Sequence, residues 1–174
     1  SAMRVSPIGW LFDEWEDVIE EAKKSAIISH NHPEGIKGAQ CIAEAIYWLR
    51  LMRFSKSDLE RKVKKFFGYK LPPMRDIKKI GSEGHFDGTC QETVPMALRC
   101  FMDANSFEET IHLAVLCDGD TDTKACIAGA VAEAYYQVPE WMIEKAISYL
   151  PDDMLNILGQ FYERIQDSCG TKKR

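Results

Sequence analysis

One stretch determines whether this chain contains a β-strand: residues 106–117, which read SFEETIHLAVLC. The run from Ile111 to Cys117 is apolar enough for a buried strand on composition alone. Ser106, however, precedes Glu109 by three residues, which is the spacing of a helical capping box. Because this capped start lies five residues before Ile111, the sequence predicts a helix rather than a strand here.

Helical signals continue on both sides of this stretch. The spacing of apolar residues and the capping residues predict helices over residues 13–25, 34–53, 57–68, 90–104 and 122–136. Pro139 and Pro151 each mark the start of one more helix, since proline is tolerated in a first turn. The helix over 34–53 is apolar around most of its circumference, which predicts a central, largely buried position.

Two segments lack helical signals. Residues 1–11 are predicted to form an extended lead-in, and residues 69–89, which contain Pro72, Pro73 and three glycines, a long irregular loop. No alternating run of strand length occurs elsewhere. The sequence therefore predicts one all-α domain over residues 1–174, folded as a compact multi-helix orthogonal bundle.

The composition excludes several classes of protein. The chain has 174 residues, 45% of them hydrophobic, with a net charge of −5, which is typical of a globular domain. No apolar run is long enough to span a membrane, and no basic stripe indicates nucleic acid as a partner. The six cysteines form no C-x-x-C pair, which argues against zinc and favours reduced thiols in the cytoplasm.

The first candidate site is the acidic segment Asp118-Gly119-Asp120-Thr121-Asp122-Thr123, between two predicted helices. Its carboxylates and hydroxyls are hard oxygen ligands of the kind that Mg²⁺, Mn²⁺ and Ca²⁺ prefer. The spacing does not match an EF-hand, because Thr123 and Gly129 stand where that loop needs glycine and glutamate. It does not match a haloacid-dehalogenase phosphatase either. Simple capping of the next helix by Asp120, Thr121 and Asp122 remains the alternative.

A stripe of small residues follows this segment: Ala125, Ala128, Gly129 and Ala132. Glycine in the middle of a helix costs about 1 kcal/mol relative to alanine, so a packing reason is expected. The stripe predicts a second helix at very short distance. Such packing would hold the carboxylates rigidly at the N-terminal end of this helix.

The second candidate site is the segment Ser29-His30-Asn31-His32-Pro33-Glu34-Gly35, directly before the central helix. Its histidines could bind a ligand or metal, act as acid and base, or cap the helix. A His-x-His pair without a third ligand is a weak zinc signal. These alternatives stay open on the sequence alone.

Together, these segments resemble the ADP-ribosylglycohydrolase family, which includes the dinitrogenase reductase-activating glycohydrolases. The resemblance is most specific in Gly119-Asp120-Thr121-Asp122-Thr123, followed by Ile127-Ala128-Gly129-Ala130 and Ala134-Tyr135-Tyr136. The resemblance extends to residues 3–9, 29–39 and 87–98, and the last of these ranges begins Asp87-Gly88-Thr89. It covers nearly the whole chain, most strongly residues 1–53 and 87–137.

The resemblance implies an all-α fold and a site for two Mg²⁺ or Mn²⁺ ions. It implies hydrolysis of the glycosidic bond between ADP-ribose and a protein side chain, with ADP-ribosylated protein or a related small molecule as partner. By the same resemblance, Asp120, Asp122 and Thr123 are metal ligands and His30 contacts ADP-ribose. Metal ions of this kind can activate a water that attacks the anomeric carbon.

The chain also departs from the family. Family members are longer, and their N-terminal part carries a Gly-Asp-Ala-Leu-Gly-like segment, a Thr-Asp-Asp-Thr metal motif and an acidic catalytic residue that do not occur here. Asp118 replaces a usual glycine and Lys124 a usual apolar residue. The chain thus resembles the C-terminal half, lacking the N-terminal helices, and no catalytic residue is assigned.

These departures lead to further expectations. The chain alone should hydrolyse ADP-ribosyl-arginine poorly, and a truncated core would favour a homodimer. Two other functions are alternatives to the glycohydrolase. One is a non-catalytic relative that binds ADP-ribose or serves a structural role, as in the jellyfish-type lens crystallins. The other is a general all-α interaction module.

Overall fold

The computed structural model describes residues 1–83 and 88–170, apart from the side chains of 79–82 and 167–170. This part of the chain is helical and contains no strand, which confirms the predicted all-α class. The chain divides into two compact units, Ser1–Gln137 and Val138–Arg174, which are described in turn. The single domain over residues 1–174 remains a prediction. Among the described helices, none combines the length and apolarity needed to cross a bilayer.

The helices of the first unit are α1 Ser6–Leu11, α2 Trp15–Ile27, α3 Pro33–Arg50, α4 Lys56–Lys62, α5 Met74–Ser82, α6 Cys90–Asp103, α7 Phe107–Leu116 and α8 Thr121–Glu133. Helix α4 continues directly into one π-helical segment, Val63–Phe67. The second unit contains α9 Glu140–Ile147 and α10 Asp152–Gly170. Pro139 is the N-cap of α9, and Pro151 directly precedes α10, as their positions in the sequence predict.

Helix α3 is the centre of the first unit. It packs against α1, α2, α6 and α8, and its buried side chains include Ile42, Ile46 and Leu49. Burying each of these three stabilises the fold by roughly 2 kcal/mol. The prediction of a central, largely buried helix in this region is confirmed.

Helices α7 and α8 form a closely packed pair. A Cβ atom added at Gly129 would lie 2.8 Å from Cδ1 of Ile111, which shows how near α7 comes to the backbone of α8. Ala128 and Ala132 are fully buried beside it. Gly129 therefore has the packing reason that its place in the middle of a helix predicts.

The start of α7 contains half of the predicted capping box. The Ser106 side chain accepts a hydrogen bond from the Glu109 amide at 3.0 Å. The reciprocal bond is absent between these two residues, because the Glu109 carboxylate accepts from the amide of Asn105 at 2.6 Å. One cap is sufficient here, and residues 111–116 are helical as predicted.

Two predictions of irregular structure are wrong. Residues 1–11 include helix α1, in which Pro7 occupies a first-turn position that needs no amide hydrogen. The predicted irregular loop over 69–89 includes helix α5, which begins after two prolines. The Pro73 carbonyl accepts bonds from the amides of Asp76 and Ile77, and Ile77 is fully buried. His85 and Asp87 lie outside the described residues.

Candidate functional site

A cavity of about 700 Å³ lies at the start of the central helix. Three separate parts of the chain line it: the N-terminal Ser1, the histidine segment, and residues 88–91 at the start of α6. The lining residues are Ser1, Ser29, His30, Asn31, His32, Glu34, Gly35, Gly88, Thr89, Cys90 and Gln91. Most of these residues have polar side chains, so the cavity offers hydrogen-bonding groups to a ligand.

The two histidines of this segment have different roles. His32 is the N-cap of α3, and its Nδ1 accepts from the Glu34 amide at 3.2 Å. His30 is exposed and pairs through Nδ1 with the Ser29 hydroxyl at 2.8 Å. The capping alternative therefore applies to His32, and both histidines line the cavity.

The charge state of His30 follows from its neighbours. The positive N-terminal amine of Ser1 lowers the pKa of His30, with smaller contributions from burial and from Arg4. This shift favours the neutral form of the ring. A neutral imidazole offers one hydrogen-bond donor and one acceptor to a ligand in the cavity.

Residues 88–91 reach the cavity because α3 and α6 come very close. A Cβ atom at Gly38 would lie 2.6 Å from Sγ of Cys90, so a larger residue cannot be accommodated without moving α6. Cys90 also contacts the Ser1 hydroxyl, with 3.7 Å between Sγ and Oγ. The Ser1 hydroxyl in turn donates to the Gly35 carbonyl at 2.7 Å. These contacts join the three lining segments.

The acidic segment is held at the junction of α7 and α8 by a buried lysine. Lys124 is only 5% exposed, and its ammonium donates to the carbonyls of Cys117 (3.2 Å) and Asp118. Asp118 has a left-handed backbone with φ of 54°, and its carboxylate accepts from the next amide at 2.9 Å. Lys124, near the start of α8, therefore ties this helix to the turn at Asp118.

The predicted metal ligands are at the beginning of α8. Asp120 is its N-cap residue but makes no capping bond with its side chain, so the capping alternative does not explain this carboxylate. Asp122 is hydrogen-bonded to Asp120 and accepts from the backbone amides of Thr123 and Asp122, and these bonds, in that order, lower the pKa of Asp122. Two adjacent carboxylates are a donor set that fits a hard divalent cation.

Thr123, the third predicted ligand, has a hydrogen-bond partner of its own. Its hydroxyl lies 3.5 Å from Sδ of Met3, to which it donates. Among the described residues, no group of three or more histidine, cysteine, aspartate or glutamate side chains is placed to hold a metal ion. That Asp120, Asp122 and Thr123 are metal ligands therefore stays a prediction.

The histidine and acidic segments are joined by the N-terminus. Ser1 lines the cavity, whereas Met3 contacts Thr123 and accepts from Cys126 Sγ through its carbonyl at 3.5 Å. Asp120, Asp122 and Thr123 are not among the residues that line the cavity. The structure therefore brings both segments to one short stretch of chain without placing them in a common cavity.

Sequence reasoning missed Ser1, Cys90 and Gln91 as lining residues. Each belongs to a segment whose contribution depends on contacts between distant parts of the chain. Only Gly38 indicates this contact in the sequence, because a glycine inside a buried helix is typical of a close approach by a neighbouring element.

Comparisons with known proteins show the following similarities in sequence. The family model described as ADP-ribosylglycohydrolase matches residues 1–170. The chain is 28% identical over 202 positions to ADP-ribosylhydrolase ARH3 of Homo sapiens, covering 88% of this chain and 55% of that protein. It is 27% identical to the Bos taurus ARH3, covering 88% and 54%. An uncharacterized protein of Archaeoglobus fulgidus is 29% identical, covering 83% and 52%. The chain spans about half the length of these relatives.

Proposed function

Because this chain belongs to the ADP-ribosylglycohydrolase family, we propose that it contributes to hydrolysis of the glycosidic bond between ADP-ribose and a protein side chain. The observation that carries the proposal is the division of roles in the histidine segment. His32 caps α3, whereas the exposed His30 ring makes no capping bond and lines a cavity of about 700 Å³. In this proposal the cavity binds ADP-ribose and His30 contacts it.

The proposed cofactor is Mg²⁺ or Mn²⁺, held by Asp120, Asp122 and Thr123. When bound, such an ion lowers the pKa of a coordinated water and polarises the reacting centre. The contribution of the chain itself is to position the donors. Lys124 holds the turn before α8 from its buried side, so the Asp120 carboxylate is directed to the helix end without being used as a cap.

A second candidate function is ADP-ribose binding without turnover. This second function is favoured because the residues that line the cavity do not include Asp120, Asp122 or Thr123. Binding and hydrolysis are therefore measured separately.

We also propose a cytoplasmic location, on the basis of free thiols at Cys41, Cys90, Cys100, Cys117 and Cys126. A homodimer stays a prediction.

Calorimetric titration of the 174-residue chain with ADP-ribose tests the cavity. We expect saturable binding that weakens at least about tenfold in His30→Ala, which corresponds to about 1.4 kcal/mol. His112→Ala is the matched control, because His112 is an exposed histidine on α7. Equal affinity of both variants, or no binding by the unmodified chain, would contradict the assignment of His30.

Thermal melting with and without Mn²⁺ tests the cation site. We expect Mn²⁺ to raise the melting temperature of the chain and to have no effect on the double variant Asp120→Ala/Asp122→Ala. Asp17→Ala, an exposed position on α2, should keep the full effect. If the double variant still responds, these carboxylates are not the ligands. Release of ADP-ribose from ADP-ribosyl-arginine then distinguishes hydrolysis from binding alone.

A further inference from the structure

A strongly basic surface lies at the end of the central helix α3, opposite to the end that borders the cavity. Residues 53–70 contain seven lysine and arginine side chains and only two acidic ones, although the whole chain has a net charge of −5. Both acidic side chains have partners: Asp58 pairs with Arg61 on α4, and Glu60 pairs with Arg99 of α6 at 3.1 Å. Most of the positive charge of this segment is therefore not neutralised by its own acidic residues.

Aromatic rings surround the lysine at the centre of this segment. Nζ of Lys62 lies 5.8 Å from the ring centroids of Trp48 and Phe54. It lies 4.9 Å from the ring of Phe66, and Nζ of Lys65 lies 5.5 Å from the same ring. Distances of this size are typical of cation–π contacts. Positive charge and apolar rings are therefore held side by side.

The π-helical segment explains why one of these rings is exposed. In an α-helix, Phe66 and Phe67 would both lie on the face of Val63, because they follow it by three and four residues. The wider π-helical turn keeps only Phe67 on that buried face, so Phe67 is 9% exposed and Phe66 is 50% exposed. Lys64 and Lys65 are exposed beside this ring, and among the described residues neither lysine has an ion-pair partner. The segment thus presents an apolar ring to solvent next to two cations.

The turn after α3 adds a second apolar side chain and a further cation. Met52 is 55% exposed, and its amide donates to the carbonyl of Trp48 at 3.1 Å. Arg53 follows with a left-handed backbone, φ 52°, which glycine would adopt at lower cost. A strained residue of this kind is typical of functional positions. We refer to the exposed residues Met52, Arg53, Lys64, Lys65 and Phe66, together with Lys62, as the basic aromatic surface.

We propose that the basic aromatic surface binds the surface of an anionic lipid bilayer. Its cations attract the negatively charged headgroups, and Phe66 and Met52 insert at the boundary between headgroups and acyl chains. This is docking onto one face of a bilayer, and it requires no helix that spans the membrane. The partner fits the proposed cytoplasmic location, because anionic lipids give the cytoplasmic leaflet its negative surface potential.

The residue types favour a bilayer over other anionic partners. Lysine predominates on the basic aromatic surface, and a lysine is a flexible point charge that suits mobile headgroups. The planar fork of arginine is preferred where a carboxylate or phosphate has a fixed position. A single-stranded nucleic acid binds by stacking its bases on exposed rings, but Lys62 and Lys65 already lie over the ring of Phe66. The bilayer boundary, by contrast, accommodates apolar side chains that are surrounded by cations.

Flotation of the 174-residue chain with unilamellar vesicles, at physiological ionic strength, tests this proposal. One vesicle preparation is pure phosphatidylcholine, and the other contains about one third phosphatidylserine. We expect the chain to float only with the anionic vesicles. Lys64→Glu/Lys65→Glu should weaken binding at least about 25-fold, since each basic residue near such a surface contributes a factor of about five. Phe66→Ser should weaken binding at least about tenfold, through loss of the apolar side chain that inserts.

Two matched variants make the same kinds of change elsewhere on the protein. Lys23→Glu/Lys78→Glu reverses the charge of two exposed lysines on α2 and α5, and Tyr149→Ser removes an aromatic side chain that is 73% exposed. Both variants should bind the anionic vesicles like the unmodified chain. Circular dichroism checks that every variant folds. Lys64→Gln/Lys65→Gln, which only removes the two charges, replaces the glutamate variant if that one does not fold.

The proposal is overturned if the chain does not bind anionic vesicles, or if it binds pure phosphatidylcholine equally well. It is also overturned if Phe66→Ser binds as tightly as the unmodified chain, or if the control at Lys23 and Lys78 loses as much affinity as the variant at Lys64 and Lys65. Binding to single-stranded DNA or polyglutamate in place of the vesicles would assign the surface to a different anion and reject the bilayer. None of these results depends on ADP-ribose, whose proposed cavity lies at the other end of α3.

Discussion

Replacing Glu44 with glutamine should stabilise the protein at alkaline pH and have little effect near pH 5. Glu44 lies on α3, is 3% exposed, and accepts a hydrogen bond from Nε1 of Trp15 at 2.9 Å. Burial raises the pKa of Glu44 from 4.5 to about 7, against smaller opposing effects of Trp15 and Lys62. The folded state therefore holds this proton more tightly than the unfolded state does.

The sign of the pH dependence follows directly. Between pH 4.5 and about 7 the folded chain binds more protons at Glu44 than the unfolded chain, so the free energy of unfolding falls as pH rises. Each pKa unit corresponds to about 1.4 kcal/mol, so the difference between 4.5 and about 7 amounts to about 3 kcal/mol. Glutamine carries no charge and can keep the Trp15 bond through its oxygen. Its buried NH₂ group costs about 1 kcal/mol, which leaves an expected gain of about 2 kcal/mol at pH 8.

Urea unfolding followed by tryptophan fluorescence, at several pH values from 5 to 8.5, measures this gain. Glu16→Gln is the matched control, because Glu16 is an exposed glutamate on α2 and should leave the pH profile unchanged. Parallel pH profiles for the unmodified chain and Glu44→Gln would show that Glu44 is not the group that titrates. A loss of stability at pH 8 would likewise refute the reasoning.

Substitutions at three positions test the packing around the acidic segment, each by urea unfolding. Gly129→Val should cost about 1–3 kcal/mol through overpacking against Ile111, whereas Gly129→Ala should stay within about 1 kcal/mol because the end of that side chain can move. Equal effects of the two would contradict the close contact. Lys124→Met should cost about 2 kcal/mol and speed hydrogen exchange at the Gly119 amide, since two buried carbonyls lose their donor. Unchanged exchange would show that the turn holds without it. Ser106→Ala should cost about 1 kcal/mol through loss of the cap of α7, and Ser148→Ala, near the end of α9, serves as the comparison.

Most helices could be predicted because their signals are local. The capping serine at Ser106 identified α7 as a helix, and the apolar periodicity of residues 34–53 identified the buried centre of the fold. Helix α5 differs from the prediction because the glycines and prolines around it are typical of a continuous loop. The decisive feature, the burial of Ile77 against neighbouring helices, does not appear in the local pattern.

The cavity could be predicted only in part, since its walls come from residues far apart in sequence. His30 was identified from its own segment, but Cys90 reaches the cavity only because Gly38 lets α6 approach α3. The sequence also left open whether the histidines bind or cap. Only the three-dimensional contacts show that His32 caps the helix and His30 does not.

The acidic segment is held in place by a lysine that follows it in the sequence, Lys124. A polar ligand site needs donors that are held in place. Lys124 meets this need from the buried side, because it binds the carbonyls of the turn and leaves the Asp120 carboxylate without a capping bond. The packing of α7 on Gly129 then fixes the helix that carries this carboxylate. It follows that Lys124→Met should weaken Mn²⁺ binding even though Lys124 carries a positive charge, because the loss of positioning outweighs the loss of repulsion.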